Sequence, residues 1–123
     1  GKPMIYYVVE KMKSFGIERI VVNTHHHREK IIEYFFNNDF GVEIIISDEK
    51  EEHLLTGGGI KNAAKYFGEY ENVLVHNADI FSSINYSGLV EYHTLKKADV
   101  TLAVRNKDDE RVFCFDRNLR LAG

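Results

Sequence analysis

The chain has 123 residues, 44% of them hydrophobic and 28% charged, with a formal net charge of −3. That length suits one domain around one core, and the composition is that of a globular protein rather than a disordered or fibrous one. The mild acidity offers no basic field to nucleic acid, no apolar stretch reaches membrane-spanning length, and the N-terminus lacks a signal-peptide layout, so neither nucleic acid nor a membrane is expected as a partner. Cys114 is the single cysteine. It can form no internal disulfide, which suits a reducing cytoplasm, and its neighbours Phe113 and Phe115 predict a packed strand position.

In chain order, Met4, Ile5, Val8, Val9, Met12 and Phe15 recur at helical spacing behind Pro3, and Gly16 is a suitable stop. Arg19 to Asn23 reads as a short buried strand. Ile31, Ile32, Phe35 and Phe36 give the apolar stripe of a second helix, ending near Asn37-Asn38. Val42 to Ile46 is a second, β-branched strand. Ile60, Ala63, Ala64 and Phe67 predict a third helix after a run of glycines, and Asn72 to His76 a third strand. Ser87 can cap a fourth helix running to about Lys97. Val100 to Val104 and Arg111 to Asp116 are further strands, antiparallel across the polar turn Asn106 to Glu110, and Asp116-Arg117-Asn118 signals another turn. Strands alternating with helices imply right-handed crossovers and a mostly parallel sheet. Ligands of such sheets sit beyond the carboxyl ends of the strands, here Asn23 to His27, Ser47 to Gly59, His76 to Phe81 and Arg105 to Lys107.

Two segments on that edge carry chemistry. Thr56-Gly57-Gly58-Gly59 removes every Cβ from one face of a turn, so a base or ribose can lie on bare backbone, while the amides lead into a helix N-terminus. The same run also suits a flexible loop-to-helix turn. It is not a P-loop, because no Gly-Lys-Ser/Thr follows. Asp79 ends the apolar run Val73-Leu74-Val75, where a hard divalent cation bridging phosphates needs an oxygen donor. Alone, Asp79 could equally cap the next turn, with Ser82 and Ser83 nearby; the glycines on the same edge favour the ligand reading. His25-His26-His27 point in different directions at a strand-to-helix junction and read as exposed loop histidines rather than a metal cluster. In the acidic run Asp48 to Glu52, Glu52 is the member expected at a ligand; the rest reads as a solvated loop.

These residues resemble the sugar-1-phosphate nucleotidyltransferase family. Gly1-Lys2-Pro3-Met4-Ile5 is similar to its Gly-Lys-Pro-hydrophobic helix opening, and Ile20-Val21-Val22-Asn23 and Phe40-Gly41-Val42 continue the likeness. Glu52 to Ile60 resembles the branch of muramic-acid 1-phosphate uridylyltransferases and mannose- and heptose-1-phosphate guanylyltransferases. Val75-His76-Asn77-Ala78-Asp79 is similar to the family's strand ending in Asn-Gly-Asp, and Val104-Arg105 and Phe113 to Gly123 look like the hairpin that follows. The resemblance implies a three-layer, Rossmann-like α/β fold of the nucleotide-diphospho-sugar transferase type. It implies UTP or GTP and a sugar 1-phosphate as substrates, Thr56, Gly57, Gly58 and Asn77 at the nucleotide, and Asp79 on Mg2+. Leu55 stands where this branch commonly has Glu, and Ala78 where the family has Gly.

The family's Gly-x-Gly-x-Arg loop and Pro-Lys segment, which wrap the triphosphate, do not occur in these residues, and neither does its second half. The expectation is therefore a single partial domain over residues 1–123, with no catalytic electrophile of its own and no activity alone. The family's first strand would lie between the strands at 18–23 and 72–77, supplied by the rest of the polypeptide or by another chain. A non-catalytic nucleotide- or sugar-phosphate-sensing domain is the alternative, favoured by Leu55.

Overall fold

The structure, a computed structural model, describes residues 1–49, 55–69, 72–105 and 113–122. They form two compact units, Gly1–Ser83 and Ile84–Gly123. The first unit holds α1 (Met4–Ser14), β1 (Arg19–Thr24), α2 (Arg28–Phe36), β2 (Glu43–Asp48), α3 (Leu55–Ala63) and a 3-10 turn (Ala64–Tyr66), and the second holds α4 (Tyr86–Lys96).

α1 follows Pro3, whose extended backbone places it at the N-cap, and buries Val8, Val9 and Met12 on one stripe. Lys11 and Lys13 lie in its last turn, where the carbonyl end of the helix favours cations. Its end is a Schellman motif. Gly16, at φ +97, donates to the Lys13 carbonyl, and Ile17 donates to the Met12 carbonyl. The glycine predicted as a stop is therefore used for its left-handed conformation.

β1 and β2 pair in parallel from Arg19↔Glu43 to Thr24↔Asp48. Ile20, Val22 and Thr24 are the buried alternation of β1. α2 connects the strands and ends at Asn37 as expected, but Phe36, predicted on its apolar stripe, is 88% exposed. Phe40 takes the buried position instead, 5.1 Å from the Phe35 ring and 5.9 Å from that of Tyr34.

The mostly parallel sheet has two strands among the described residues. Residues 72–77 and 100–104, expected as strands, carry no regular secondary structure and enter no ladder. A ladder needs a neighbour about 4.8 Å away. Across from residues 72–78 stands a cavity of about 650 Å³ rather than β1 itself, so the edge of β1 away from β2 has no strand partner among the described residues.

Two helix starts differ from expectation. α3 begins at Leu55, so the glycines lie within its first turns instead of preceding it. α4 is capped by Asn85, whose side chain accepts from the Gly88 amide, and the predicted cap Ser87 lies inside the first turn. Asn is as good a cap as Ser and here stands one residue before the helix.

In the second unit, Asp116 Oδ1 accepts from the amides of Asn118 and Arg120, and Phe115 pairs with Leu121 in an antiparallel bridge, so the predicted turn forms. Cys114 is exposed, not packed. The bridge covers one backbone edge of its segment and no face, and Phe113 is 62% exposed beside it. The turn expected over Asn106 to Glu110 lies outside the described residues, as do residues 50–54.

Candidate functional site

The carboxyl ends of β1 and β2 are held by three consecutive residues, each tied to a different element. Ser47, fully buried, accepts a hydrogen bond at 3.2 Å from Asn62 of α3. Asp48 receives Arg28 Nε on both carboxylate oxygens at 2.7 Å, joining the start of α2 to the end of β2. The Glu49 amide donates to the Thr24 carbonyl at 3.0 Å, and its own carbonyl accepts from His25 Nδ1 at 3.0 Å. Glu49 is only 8% exposed. Sequence reading singled out Glu52, which lies outside the described residues, and treated Glu49 as part of a solvated loop. The signal that picked out Asp79, a carboxylate just past an apolar strand, also applied to Glu49.

α3 carries the glycines against this edge. Thr56, Ile60 and Ala63 fall on one face of the helix and line the cavity, whose other walls are Ile5, Val8, Val9 and Met12 of α1, the open edge of β1 and residues 72–78. At the carboxyl-end side of the cavity, Asn23, His25, Glu49, Thr56, His76 and Asn77 add polar groups to its lining. Thr56 and Asn77 are thus brought to one concave surface. Gly57 is exposed and Gly58 half-buried, and neither lines the cavity.

Asn77 is exposed. Its carbonyl accepts from the Ile80 amide at 3.2 Å, a turn that carries Asp79 outward. Asp79 is also exposed and lies outside the cavity lining. Among the described residues, no group of three His, Cys, Asp or Glu side chains stands ready to hold a metal. One exposed carboxylate still fits a hard cation that keeps several waters and takes its remaining oxygens from substrate phosphates.

The three consecutive histidines diverge. His25 turns toward the Glu49 carbonyl, and its ring lies 4.9 Å from that of His26. His27 starts α2 in the left-handed region at φ 53. Of the remaining predicted edge, Arg105 belongs to the second unit, and residues 106–107 lie outside the described ones. No helix among the described residues is long and apolar enough to cross a membrane.

Comparison with known proteins identifies the family. The family model described as nucleotidyl transferase matches residues 1–115. The chain is 36% identical over 105 residues to a D-glycero-alpha-D-manno-heptose 1-phosphate guanylyltransferase of Aneurinibacillus thermoaerophilus, covering 85% of this chain and 45% of the relative. It is 31% identical over 116 residues to a mannose-1-phosphate guanylyltransferase of Mycobacterium tuberculosis, covering 92% and 31%. It is 33% identical over 82 residues to an N-acetylmuramate alpha-1-phosphate uridylyltransferase of Caulobacter vibrioides, covering 64% and 34%. The chain spans less than half the length of each of these relatives. No solved structure matches it significantly.

Proposed function

This chain belongs to the sugar-1-phosphate nucleotidyltransferase family, and from that premise we propose that the whole protein transfers a nucleotidyl group from UTP or GTP to a sugar 1-phosphate. The products are a nucleotide sugar and pyrophosphate. The observation that carries this reading is the arrangement at the strand ends, with Thr56 and Asn77 on one concave surface and Asp79 on the turn just beyond. The names of the relatives, two guanylyltransferases and one uridylyltransferase of sugar 1-phosphates, supply the substrate classes.

In this reaction an oxygen of the sugar phosphate attacks the α-phosphorus of the triphosphate in line. The bond from that phosphorus to the bridging oxygen breaks, and pyrophosphate leaves with the electron pair. Thr56, Gly57 and Gly58 receive the base and ribose on a face with little side chain, and Asn77 supports the same site. Asp79 would hold Mg2+, which when bound offsets charge on the phosphates. The groups that wrap the triphosphate and stabilise the reacting phosphorus come from outside the present residues. The reaction is proposed for the cytoplasm.

An extended segment completes the sheet in this reading. It comes from the rest of the polypeptide or from another chain, and pairs with β1 on the edge away from β2. Support comes from the unpaired edge, from the cavity beside it, and from Val73 and Val75, which are 44% and 52% exposed on the far side. Backbone N–H and C=O groups along a strand edge need partners, and a strand seated between β1 and residues 72–76 would provide them for both walls, leaving Thr56 and Asn77 at the carboxyl-end rim for the nucleotide.

The test is pyrophosphate release by the whole protein with Mg2+, GTP or UTP, and mannose, heptose or muramic-acid 1-phosphates. Asp79→Asn should abolish metal-dependent turnover while the far-UV circular dichroism stays unchanged. Near-normal turnover by that variant would defeat the role given to Asp79. Nucleotide binding without any pyrophosphate release would select a sensing domain instead, the reading favoured by Leu55 at the usual position of Glu.

A further inference from the structure

Gly59 is the buried glycine of the run, and its bare face is occupied. A Cβ placed on Gly59 would lie 2.7 Å from Asn23 Nδ2 and 2.7 Å from Glu49 Oε1, too close for any real contact. Gly57, by contrast, has open space where its Cβ would stand. The glycines therefore differ in kind. Gly57 leaves a surface free for something else, whereas Gly59 makes room for two side chains of the protein itself.

Those two side chains come from the two strand ends. Asn23 is the penultimate residue of β1. Glu49 follows β2 directly, and its backbone is fastened on both sides, through its amide to Thr24 and through its carbonyl to His25. A residue only 8% exposed has little freedom to move its side chain, so the Glu49 carboxylate is set in place by its surroundings. Here it meets α3 at Gly59, the residue immediately after the Thr56–Gly58 face. The second tie of α3 to the same strand end, Asn62 to Ser47, lies in the last turn of the helix. The end of β2 and the residue after it thus meet α3 at its middle, through Glu49 at Gly59, and at its last turn, through Ser47 at Asn62, with Gly59 the closer point to the nucleotide.

We propose that Glu49, seated with Asn23 on the bare face of Gly59, is a positioning residue that fixes the Thr56-Gly57-Gly58 surface for the nucleotide. It acts through α3 and touches no reacting atom. This rests on the nucleotide reading of that surface given above, but the lock itself is a statement about α3 alone.

The experiment uses the whole protein and three variants. Glu49→Ala removes the carboxylate. Glu49→Gln keeps its shape and one acceptor oxygen. Gly59→Ala drives the pair off its seat from the other side; because the colliding atoms are side-chain tips, and alanine favours helix over glycine, the chain should stay folded. Two quantities are read: amide hydrogen exchange across α3, and KM for the nucleoside triphosphate separately from kcat. Glu49→Ala and Gly59→Ala should each speed exchange at residues 57–60 about tenfold with β1 and β2 unchanged, and raise KM about tenfold with kcat within about threefold. Glu49→Gln should recover most of both. Unchanged exchange in α3 would overturn the lock, and a fall in kcat at constant KM would overturn it too, by placing Glu49 at the reacting atoms. If the wild-type protein neither binds nor turns over a nucleotide, the proposed function fails by itself, and the exchange measurement still decides the lock.

Discussion

Along its β2 side, β1 meets a partner at every position from Arg19 to Thr24, while along its other side Arg19 to Asn23 face a cavity of about 650 Å³. The β2 side ends in Ser47, Asp48 and Glu49, each fastened to a different element by its side chain or backbone. The cavity side ends in Asn77 and Asp79, both exposed on a turn. Lys11 Nζ donates to the Ser82 carbonyl at 2.8 Å, and the Phe81 ring lies 6.2 Å from that of Tyr7. The half of the candidate site that carries the glycines is thus positioned by its own hydrogen bonds. The half that carries the carboxylate lies along a backbone whose sheet partner is not among the described residues. A parallel strand contributes little by local propensity and depends on its neighbours, so the two halves respond differently to the same kind of damage.

The largest effect separating them is expected at Phe40. It is 5% exposed and surrounded by the rings of Tyr6, Tyr34 and Phe35, with its carbonyl accepting from Lys13 Nζ. Phe40→Ala should cost about 3–5 kcal/mol, a large part of the stability of any domain this small. Urea unfolding would measure it. A loss under about 1 kcal/mol would mean that the β2 side is no better packed than the cavity side.

Val9 gives the opposite probe. It is 1% exposed and lines the cavity from α1. Removing two methyl groups there enlarges a space that already exists, so Val9→Ala should cost only about 1–2 kcal/mol by the transfer of those groups. With the proposed strand in place the same substitution opens a new void, and the cost should rise by about 1 kcal/mol. Equal losses in the 123-residue chain and in the whole protein would remove the argument that a segment fills the cavity.

Much of the β2 side was legible in the sequence. β-branched runs mark β1 and β2, Gly16 marks the end of α1, and Asp116 marks its turn through an acceptor that reaches two residues on. What escaped had tertiary causes. Phe36 continues the helical stripe of Ile32 and Phe35, yet it points to solvent because Phe40 from the following loop occupies the space beneath the helix. Asn85 rather than Ser87 caps α4 because two good caps stand two residues apart and only chain direction chooses between them. Gly59 could not be told from Gly57 until the strand ends were seen against it. Glu49 was hidden for a related reason: in a run of charges, periodicity cannot say which carboxylate is taken out of water.

The smallest effect belongs to the amino end of the same strand pair, where Arg19 Nε donates to Glu43 Oε2 across the ladder. Their side chains are 35% and 52% exposed, against 32% and 22% for Arg28 and Asp48 at the carboxyl end. Exposed pairs gain little because water screens them and two long side chains lose freedom in meeting. Glu43→Gln should therefore change stability by at most about 1 kcal/mol, and by less in about 1 M salt, where the screening length falls to about 3 Å. Asp48 is the more enclosed carboxylate and offers both oxygens to Arg28, so Asp48→Asn should cost more than Glu43→Gln at every salt concentration. Urea midpoints for the two variants at low and high salt decide this. If both lose the same amount and both respond to salt alike, the carboxyl end of the ladder is held no more firmly than its amino end, and the fixed setting given to Ser47, Asp48 and Glu49 loses its support.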